Sequence, residues 1–261
     1  MNPLFTILTA AASPEKTGIW RTFVNFLSSI IEFLYKIVPN YGVAIILFTI
    51  ITRLALLPLD IKSKKSTKKM NEVQPEIDAL NKKYKNDPER LNKKTMELYK
   101  KHGVNPLGGC LPLLLQMPVT IALFAALRQI SNFHVANQTI ERFLWIKNIW
   151  APDSPILDVT GKSISLGSSS WNGLFILPAL SGITSYYQTQ LMNAQQGGQK
   201  KEGQMSGMSK IMPIMSIWFT SMYTAAFALY WVASNVFQIA QMLILDKKSD
   251  KEKDKETPLT E

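Results

Sequence analysis

The sequence has one cysteine among its 261 residues and lacks charge over long stretches. The single cysteine, Cys110, cannot form a disulfide within the chain or supply a multi-cysteine metal site, which excludes a disulfide-stapled secreted domain and a zinc module. Residues 107–127, 163–199 and 211–245 contain no Asp, Glu, Lys or Arg, and residues 40–59 contain one. A helix needs roughly 20 apolar residues to cross a bilayer. The sequence therefore predicts an integral membrane protein, although its mean hydropathy is only +0.03.

The distribution of Lys and Arg predicts the topology. Residues 60–104, 193–210 and 246–261 carry 21 of these side chains, whereas residues 1–39 and 131–170 carry six. Lys and Arg concentrate in cytoplasmic loops, so the first three segments are predicted on the cytoplasmic side and the other two outside.

The last uncharged run, residues 211–245, must then cross the bilayer twice. Two crossings leave at most about 17 residues each, or roughly 26 Å of helix, so we predict a turn near residues 223–226 and local thinning of the bilayer. The predicted fold is an all-α integral membrane protein with five spans. Its segments are an external N-terminal segment with an interfacial amphipathic helix (1–38), a first span (39–59), a cytoplasmic helical hairpin (60–104), a second span (105–130), an external loop (131–170), a third span (171–192), a cytoplasmic loop (193–210), a fourth span (211–225), a fifth span (226–245) and a disordered cytoplasmic tail (246–261).

The segment before the first span has an amphipathic pattern. Polar residues recur at helical spacing opposite large apolar ones, which is typical of a helix that lies in the membrane interface. The alternative is a sixth span, which Glu32 and Lys36 disfavour. The polar positions are Arg21, Asn25, Ser28, Glu32 and Lys36.

The basic segment 60–104 is predicted to form two helices. Asp87 and Pro88 provide a cap and a first-turn residue for the second helix, from which Leu91 and Leu98 face the first, and Pro75 is expected to interrupt the first helix. Residues 195–207 are Gly-rich and are predicted to be a flexible linker. The apolar seam of the first helix consists of Met70, Val73, Ile77, Leu80 and Tyr84.

Arg53 is the charge in the first span. It lies about 10 Å below the cytoplasmic end of that span, and at a helix centre an Arg costs about 2.5 to 3.5 kcal/mol. Its side chain either snorkels to the headgroups or occupies a water-accessible interior. Polar stripes on the other spans favour the second interpretation. The stripe of the fourth span has only hydroxyl groups and is typical of helix–helix contacts. The stripes contain Gln116 and Thr120 in the second span; Ser181, Thr184, Ser185 and Gln188 in the third; Ser216, Thr220 and Tyr223 in the fourth; and Trp231, Asn235, Gln238 and Gln241 in the fifth.

The sequence predicts no catalytic residue, metal site or cofactor. His102 and His134 fall in separate aqueous regions and are interpreted as surface residues, and Cys110 as a packing residue. No acidic residue occurs in a predicted span, which disfavours a proton-coupled transporter. The positive charge of Arg53 would instead attract an anion or an acidic segment of another polypeptide.

The sequence resembles the YidC/Oxa/Alb family of membrane protein insertases, and within it the Gram-positive type. The resemblance extends from about residue 20 over nearly the whole chain. The matching segments are TIITRLALLPLDIKS around Arg53, Gln74-Pro75-Glu76, NPLGGCLPLLLQMPV from Asn105, FLWIKNIWAPDS from Phe143, LPALSGIT from Leu177, and Leu229-Tyr230-Trp231 with Ser234-Asn235 and Gln238.

The resemblance implies a non-enzymatic insertase with a hydrophilic groove. In the family, the groove is open to the cytoplasm and to lipid but closed outside, which implies that Arg53 receives the hydrophilic part of a nascent membrane protein. Implied partners are nascent membrane proteins, the lipid bilayer and, through the hairpin, the Sec translocon, the signal recognition particle pathway and the ribosome; tail docking to the ribosome is disfavoured because residues 246–261 hold five basic and six acidic groups. The implied groove residues are Arg53, Gln116, Gln188, Trp231, Asn235 and Gln238.

Two other functions are alternatives to the insertase interpretation. The first is a small-anion channel or transporter with Arg53 as its binding residue, which the lack of an internal repeat disfavours. The second is a nucleic-acid or ribosome-binding hairpin at 60–104. Its 13 basic residues against seven acidic ones are explained equally by the positive-inside rule, so no direct nucleic-acid function is expected.

Overall fold

The computed structural model describes residues 18–104, 111–160, 162–165, 171–195 and 204–256. Within these ranges it is helical, apart from loops and three isolated β-bridges, which confirms the predicted all-α class. The helices are α1 (Gly18–Ile37), α2 (Tyr41–Lys83), α3 (Pro88–Lys101), α4 (Leu111–Ala136), α5 (Ile176–Gln195), α6 (Gln204–Met222) and α7 (Ala225–Glu256).

Three helical segments of the described chain are long and apolar enough to cross a membrane. They are Tyr41–Lys83, Gln116–Ala136 and Ala225–Leu245, and a shorter apolar helix covers Ile211–Met222. The break between α6 and α7 lies at residues 223–224, where the sequence predicts the turn. The membrane limits of the five predicted spans stay predictions.

The described helices divide into two compact units. The first contains the chain up to Arg53 together with residues 121–191 and 200–261, and the second contains residues 54–120 and 192–199. The first unit has an apolar core to which α1, α2, α4, α7 and the loop before α5 contribute. Its most deeply buried large side chains include Ile31, Ile45, Phe48, Leu123, Leu127, Ile146, Ile149 and Phe227.

The second unit contains the helical hairpin with a small core of its own. Val73, Ile77 and Val104 are buried there, and Met70, Leu98 and Tyr99 pack against them, so the predicted contact of Leu98 with the seam is confirmed. The Asp87 carboxylate accepts a hydrogen bond from the Arg90 backbone N–H at 3.0 Å. The predicted cap and the helix start at Pro88 are therefore also confirmed.

The expected interruption at Pro75 is wrong. Helix α2 runs unbroken from Tyr41 to Lys83 with Pro58 and Pro75 inside it. A proline removes one backbone donor from the helical ladder. Pro75 is exposed while Val73 and Ile77 are buried, so the defect lies away from the packed face and the helix tolerates it.

The predicted disorder of the tail is also wrong over most of its length, because α7 continues to Glu256. Its alternating Lys, Asp and Glu residues provide opposite charges three and four positions apart, which supports a helix. Of the linker predicted at 195–207, Gln195 ends α5 and residues 204–207 begin α6, while residues 196–203 lie outside the described part. Residues 105–110 of the second span, including Cys110, also lie outside it.

Two helix ends differ from the span limits given by the sequence. Helix α4 continues to Ala136 rather than 130, and α5 begins at Ile176 rather than 171. The five residues before α5 belong to the loop because Asn172 and the Asp153 carboxylate hold them there through hydrogen bonds.

The buried face of helix α1 differs from the apolar face that its amphipathic pattern predicts. Val24, Leu27, Ser28, Ile31 and Leu34 are buried, so Ser28 does not belong to the exposed polar face predicted for it. A second apolar stripe stays exposed, because the helix is apolar on two sides and only one packs in the first unit. The exposed stripe consists of Ile19, Phe26, Phe33 and Ile37.

The interpretation of His134 as a surface residue is wrong. Its side chain is 8% exposed, its ring stacks on Trp150 with centroids 4.9 Å apart, and its edge-on neighbour Tyr41 lies at 4.9 Å. Its Nδ1 bonds to Thr139 Oγ1 at 2.6 Å. The ring is buried because α4 extends one and a half turns beyond its predicted end and carries His134 into the core.

The loop between α4 and α5 contains a buried polar network. Asn172 donates to the Asn148 and Pro152 carbonyls and accepts from the Asn148 N–H at 2.8 Å. Asp153 accepts from the N–H groups of Phe175 at 3.1 Å and Leu177 at 2.7 Å and from the Trp145 indole at 3.3 Å. It therefore satisfies donors at the start of α5 that the helix itself leaves without acceptors.

The same loop holds the start of α7. The N–H groups of Ala225 and Ala226 donate to the carbonyls of Ala151 and Ile149, both at 2.9 Å. The loop thus satisfies the first donors of α7, much as Asp153 does for α5.

Candidate functional site

Arg53 lies on α2, three turns after its start, and is 6% exposed. Its Nε donates to Ser234 Oγ at 3.0 Å, and its Nη2 bonds to the same oxygen. In the amide orientation that satisfies both groups, the Gln238 oxygen accepts from Nη1 at 2.5 Å and Nη2 at 2.6 Å. Ser234 and Gln238 are four residues apart and so share one face of α7.

A second layer of polar contacts connects α7 to α5. In the same orientation, the Gln238 NH2 group is the donor toward the Gln188 side-chain amide. Asn235 Nδ2 donates to Ser185 Oγ at 2.9 Å and to Thr184 Oγ1 at 3.2 Å. The sequence-predicted residues Arg53, Gln188, Asn235 and Gln238 are therefore brought together in one arrangement, which we call the Arg53 cluster and which also contains Ser234, Thr184 and Ser185.

Hydroxyl pairs continue from this cluster into the contact between α5 and α6. Ser185 Oγ donates to Ser216 Oγ at 2.9 Å, and Ser181 Oγ lies 2.8 Å from Thr220 Oγ1. The helices approach closely, since a Cβ atom at Gly182 would lie 2.4 Å from Ile217 Cγ1. The predicted helix-contact role of the α6 stripe is confirmed for Ser216 and Thr220.

Trp231 has a different environment from the Arg53 cluster. Its ring packs in an aromatic group with Phe219 at 6.0 Å and Phe227 at 5.8 Å between centroids. Its indole N–H is buried and has no hydrogen-bond partner among the described residues. The structure therefore places Trp231 on the aromatic side of α7, beside the polar face.

Gln116 belongs to the second unit. Its amide donates to Thr120 Oγ1 at 3.2 Å, which confirms the predicted pairing of these two residues on one face of α4. Its part in a groove stays a prediction.

The partners named above supply acceptors to Arg53 but no negative charge. Hydrogen bonds to a charged donor contribute about 1.5 to 3 kcal/mol, which offsets part of the cost of burying a guanidinium group. The acceptors are hydroxyl and amide groups on side chains, which can rotate away. The arrangement can therefore hold a positive charge inside the protein and present it to an incoming acceptor.

Ser234 contacts Arg53 but is not among the implied groove residues, although it belongs to the Ser234-Asn235 pair that carries the family resemblance. It lies one turn before Gln238 and next to Asn235, so the polar spacing on α7 could have included it. The described residues contain no group of three or more His, Cys, Asp or Glu side chains that could hold a metal ion.

Known proteins are similar to this chain over most of its length. The family model described as "60Kd inner membrane protein" matches residues 33–253, which is most of the sequence. The chain belongs to this YidC/Oxa/Alb family.

Relatives within the family cover nearly the whole chain. A protein of Clostridium tetani named "Membrane protein insertase YidC" is 39% identical over 88% of this chain and 94% of its own length. A protein of the same name from Fusobacterium nucleatum is 36% identical, over 88% and 98%. "Membrane protein insertase MisCA" of Bacillus subtilis is 37% identical, over 88% and 80%. These names support the insertase interpretation and not the anion channel.

The chain is also similar to solved structures. Among them is a crystal structure of an active YidC insertase with its first transmembrane domain resolved, 25% identical, with a TM-score of 0.57. The match covers 86% of this chain, and this chain spans 46% of that solved chain. The YidC-like fold is thus supported by both sequence and structure.

Proposed function

We propose that this protein is a membrane protein insertase that receives a hydrophilic segment of a nascent membrane protein at the Arg53 cluster. The observation that carries the proposal is a buried Arg in a nearly uncharged run, held by neutral hydroxyl and amide acceptors on α7. The names of the relatives support the activity. Such a protein moves a chain without making or breaking covalent bonds, so it is not an enzyme in the catalytic sense.

The proposed topology has five spans, with the N-terminus outside and the C-terminus in the cytoplasm. The three candidate membrane spans support it, as do the 20-residue helix α5 and the uneven distribution of Lys and Arg. The described apolar part of α6, Ile211–Met222, has 12 residues and measures about 18 Å. A span this short would thin the bilayer around it.

The proposed mechanism lowers the barrier for moving a short polar segment across the inner leaflet. A charged residue in hydrocarbon costs about 2.5 to 3.5 kcal/mol at the centre of a helix. Hydroxyl and amide groups of the Arg53 cluster would replace part of the lost hydration, and the Arg53 charge would favour acidic residues. Transfer of the apolar segment into lipid, together with the membrane potential acting on acidic groups, would then drive release.

We propose that the hairpin in the second unit meets the delivering partners. Its surface is basic, and its core of Val73, Ile77 and Val104 is small. The proposed partners are the ribosome, the signal recognition particle pathway and the Sec translocon. The insertase would act either alone or together with the Sec translocon.

The test is insertion into proteoliposomes of substrates that differ only in the charge of the translocated tail. We expect Arg53→Ala to reduce insertion of the acidic-tail substrate about tenfold, and Arg53→Lys to retain most of it, because an attraction of about 1.4 kcal/mol changes a rate tenfold. The neutral-tail substrate should change less than threefold.

The matched control is Arg21→Ala, which removes an exposed Arg of α1 and should leave both substrates unaffected. Equal insertion of the acidic-tail substrate by Arg53→Ala and the wild type would refute the role of this charge. Anion flux that needs Arg53 but no polypeptide would favour the channel instead.

A further inference from the structure

A cavity of about 540 Å³ lies in the first unit, away from the Arg53 cluster. It is lined by α1, by Tyr41 at the start of α2, and by the last turns of α4. Its volume falls in the range of small-molecule sites, which is about 300 to 1,000 Å³.

The cavity has two opposite charges on one helix face. Glu32 and Lys36 both line it and are four residues apart on α1. Among the described residues neither forms an ion pair or a hydrogen bond, so both charges are available to a ligand. The Ser28 hydroxyl, one turn earlier on the same face, is buried beside the cavity and has no hydrogen-bond partner in the described chain.

Aromatic rings form another part of the lining. Tyr35 and Tyr41 are stacked with centroids 4.0 Å apart, and His134 lies edge-on to Tyr41 at 4.9 Å. Because Tyr41 is 7% exposed and covered by Tyr35, the stack leaves the outer face of the Tyr35 ring for a ligand. An aromatic face near a carboxylate can recognise an organic ammonium group. Lys36 provides the complementary contact for a phosphate.

The position of the cavity along the candidate spans indicates where the ligand comes from. Tyr41 is the first residue of one candidate span, and His134 lies two residues before the end of another. Both ends belong at the boundary between hydrocarbon and headgroups. Phe133 lines the cavity, and Phe33 follows Glu32 on α1. They are 66% and 62% exposed and offer apolar surface to acyl chains.

We propose that this cavity binds an ammonium–phosphate zwitterion, namely the headgroup of an ethanolamine phospholipid, with the ammonium at Glu32 and the phosphate at Lys36. Glu32 and the outer face of the Tyr35 ring contact the cation, and the acyl chains lie along Phe33 and Phe133. The inference does not depend on the insertase proposal.

The test is lipid retention by the full chain after purification from vesicles of equal phosphatidylethanolamine and phosphatidylglycerol, measured by native mass spectrometry. The wild type should retain phosphatidylethanolamine preferentially. Glu32→Gln should lower that preference about fivefold, since it removes the charged contact that only the ammonium makes, whereas Lys36→Gln should lower the retention of both lipids, since both carry the phosphate. Soluble phosphoethanolamine provides the second arm. If it displaces the lipid at millimolar concentration, the headgroup alone is recognised; if the lipid stays bound, the acyl chains contribute.

The controls are Glu72→Gln and Arg21→Gln, which make the same charge changes at exposed positions outside the cavity and should retain wild-type selectivity. Unchanged unfolding temperatures would show that the variants fold. Equal retention of both lipids by the wild type, unchanged selectivity in Glu32→Gln, or unchanged total retention in Lys36→Gln would overturn the proposal.

Discussion

Two polar networks lie buried in the first unit, and they are built differently. In the loop before α5, Asn172 and Asp153 bond mainly to backbone groups, with the Trp145 indole as a further donor to Asp153. In the Arg53 cluster, the bonds join side chain to side chain, from Arg53 to Ser234 and Gln238 and onward to Gln188. Backbone partners are fixed by the fold, whereas amides and hydroxyls can rotate. The loop network therefore holds one conformation, whereas the side chains of the Arg53 cluster can turn to other partners, which the proposed insertase role requires.

Backbone strain supports this distinction. All the non-glycine residues with positive φ in the described chain lie between α4 and α5: Gln138, Leu144 and Phe175. Such conformations persist only where surrounding contacts determine them strongly. The loop also requires Gly173, because a Cβ atom there would lie 2.0 Å from Asp153 Oδ1.

The largest effect on stability should come from Asp153→Ala. It removes acceptors from two N–H groups at the start of α5 and from the Trp145 indole, and it leaves buried donors unsatisfied. We expect a loss of about 3 kcal/mol in the free energy of unfolding, measured by denaturation in detergent. Asp153→Asn, which keeps one acceptor oxygen, should lose about half as much. Wild-type stability of Asp153→Ala would contradict the comparison.

A smaller loss is expected from Gln238→Ala in the Arg53 cluster. Arg53 keeps Ser234, and the neighbouring Gln188 amide is free to reorient, so the cost should be about 1 kcal/mol in the same denaturation assay. Gln190→Ala, at an exposed glutamine of α5, is the matched control and should cost less than half of that. A loss as large as that of Asp153→Ala would show that both networks are equally rigid.

Leu144→Asn should stabilise the protein slightly. Leu144 has φ of 50° and is 74% exposed, so asparagine relieves strain of about 1 kcal/mol and loses little packing. Leu144→Ala keeps the strained φ and should bring no gain. Equal unfolding midpoints for both variants would exclude a strained backbone at this position.

The smallest expected effect is on how the unfolding temperature depends on acidic pH, through Asp158. The Thr160 hydroxyl, followed by the Lys162 backbone N–H, lowers the pKa of Asp158 below its ordinary 3.8. A lowered folded-state pKa stabilises the protein above the unfolded-state value, and this contribution is lost as the pH falls through the folded-state value. The unfolding temperature of the wild type should therefore fall more steeply below about pH 4 than that of Asp158→Asn. Parallel pH profiles would contradict this.

The sequence identified much of the Arg53 cluster, because a charge in an apolar run and polar residues at helical spacing are local signals. Arg53, Gln188, Asn235 and Gln238 were all found this way. Their pairing was not predictable, since which residue on α7 meets Arg53 depends on the rotation and depth of two helices far apart in the chain. For that reason Ser234 was not placed among the groove residues.

The loop network was not predicted at all. Asn148, Asp153 and Asn172 have the composition of an ordinary polar loop, and only their contacts with distant backbone groups distinguish them. His134 shows the same limit of prediction from local sequence. Local polarity suggested exposure, but aromatic partners as distant as Tyr41 and Trp150 bury the ring.

The bonds from Ala225 and Ala226 to the loop have a mechanical consequence. They fix one end of α7, so a tilt of this helix would pivot about that end. Gln238 lies 13 residues further on, about 20 Å away by helical rise, and a tilt of about 5° would displace it by about 1.7 Å. That displacement exceeds the tolerance of a hydrogen bond. A small rotation at the loop would therefore suffice to uncouple Arg53 from Gln238 while leaving the loop end of the helix in place.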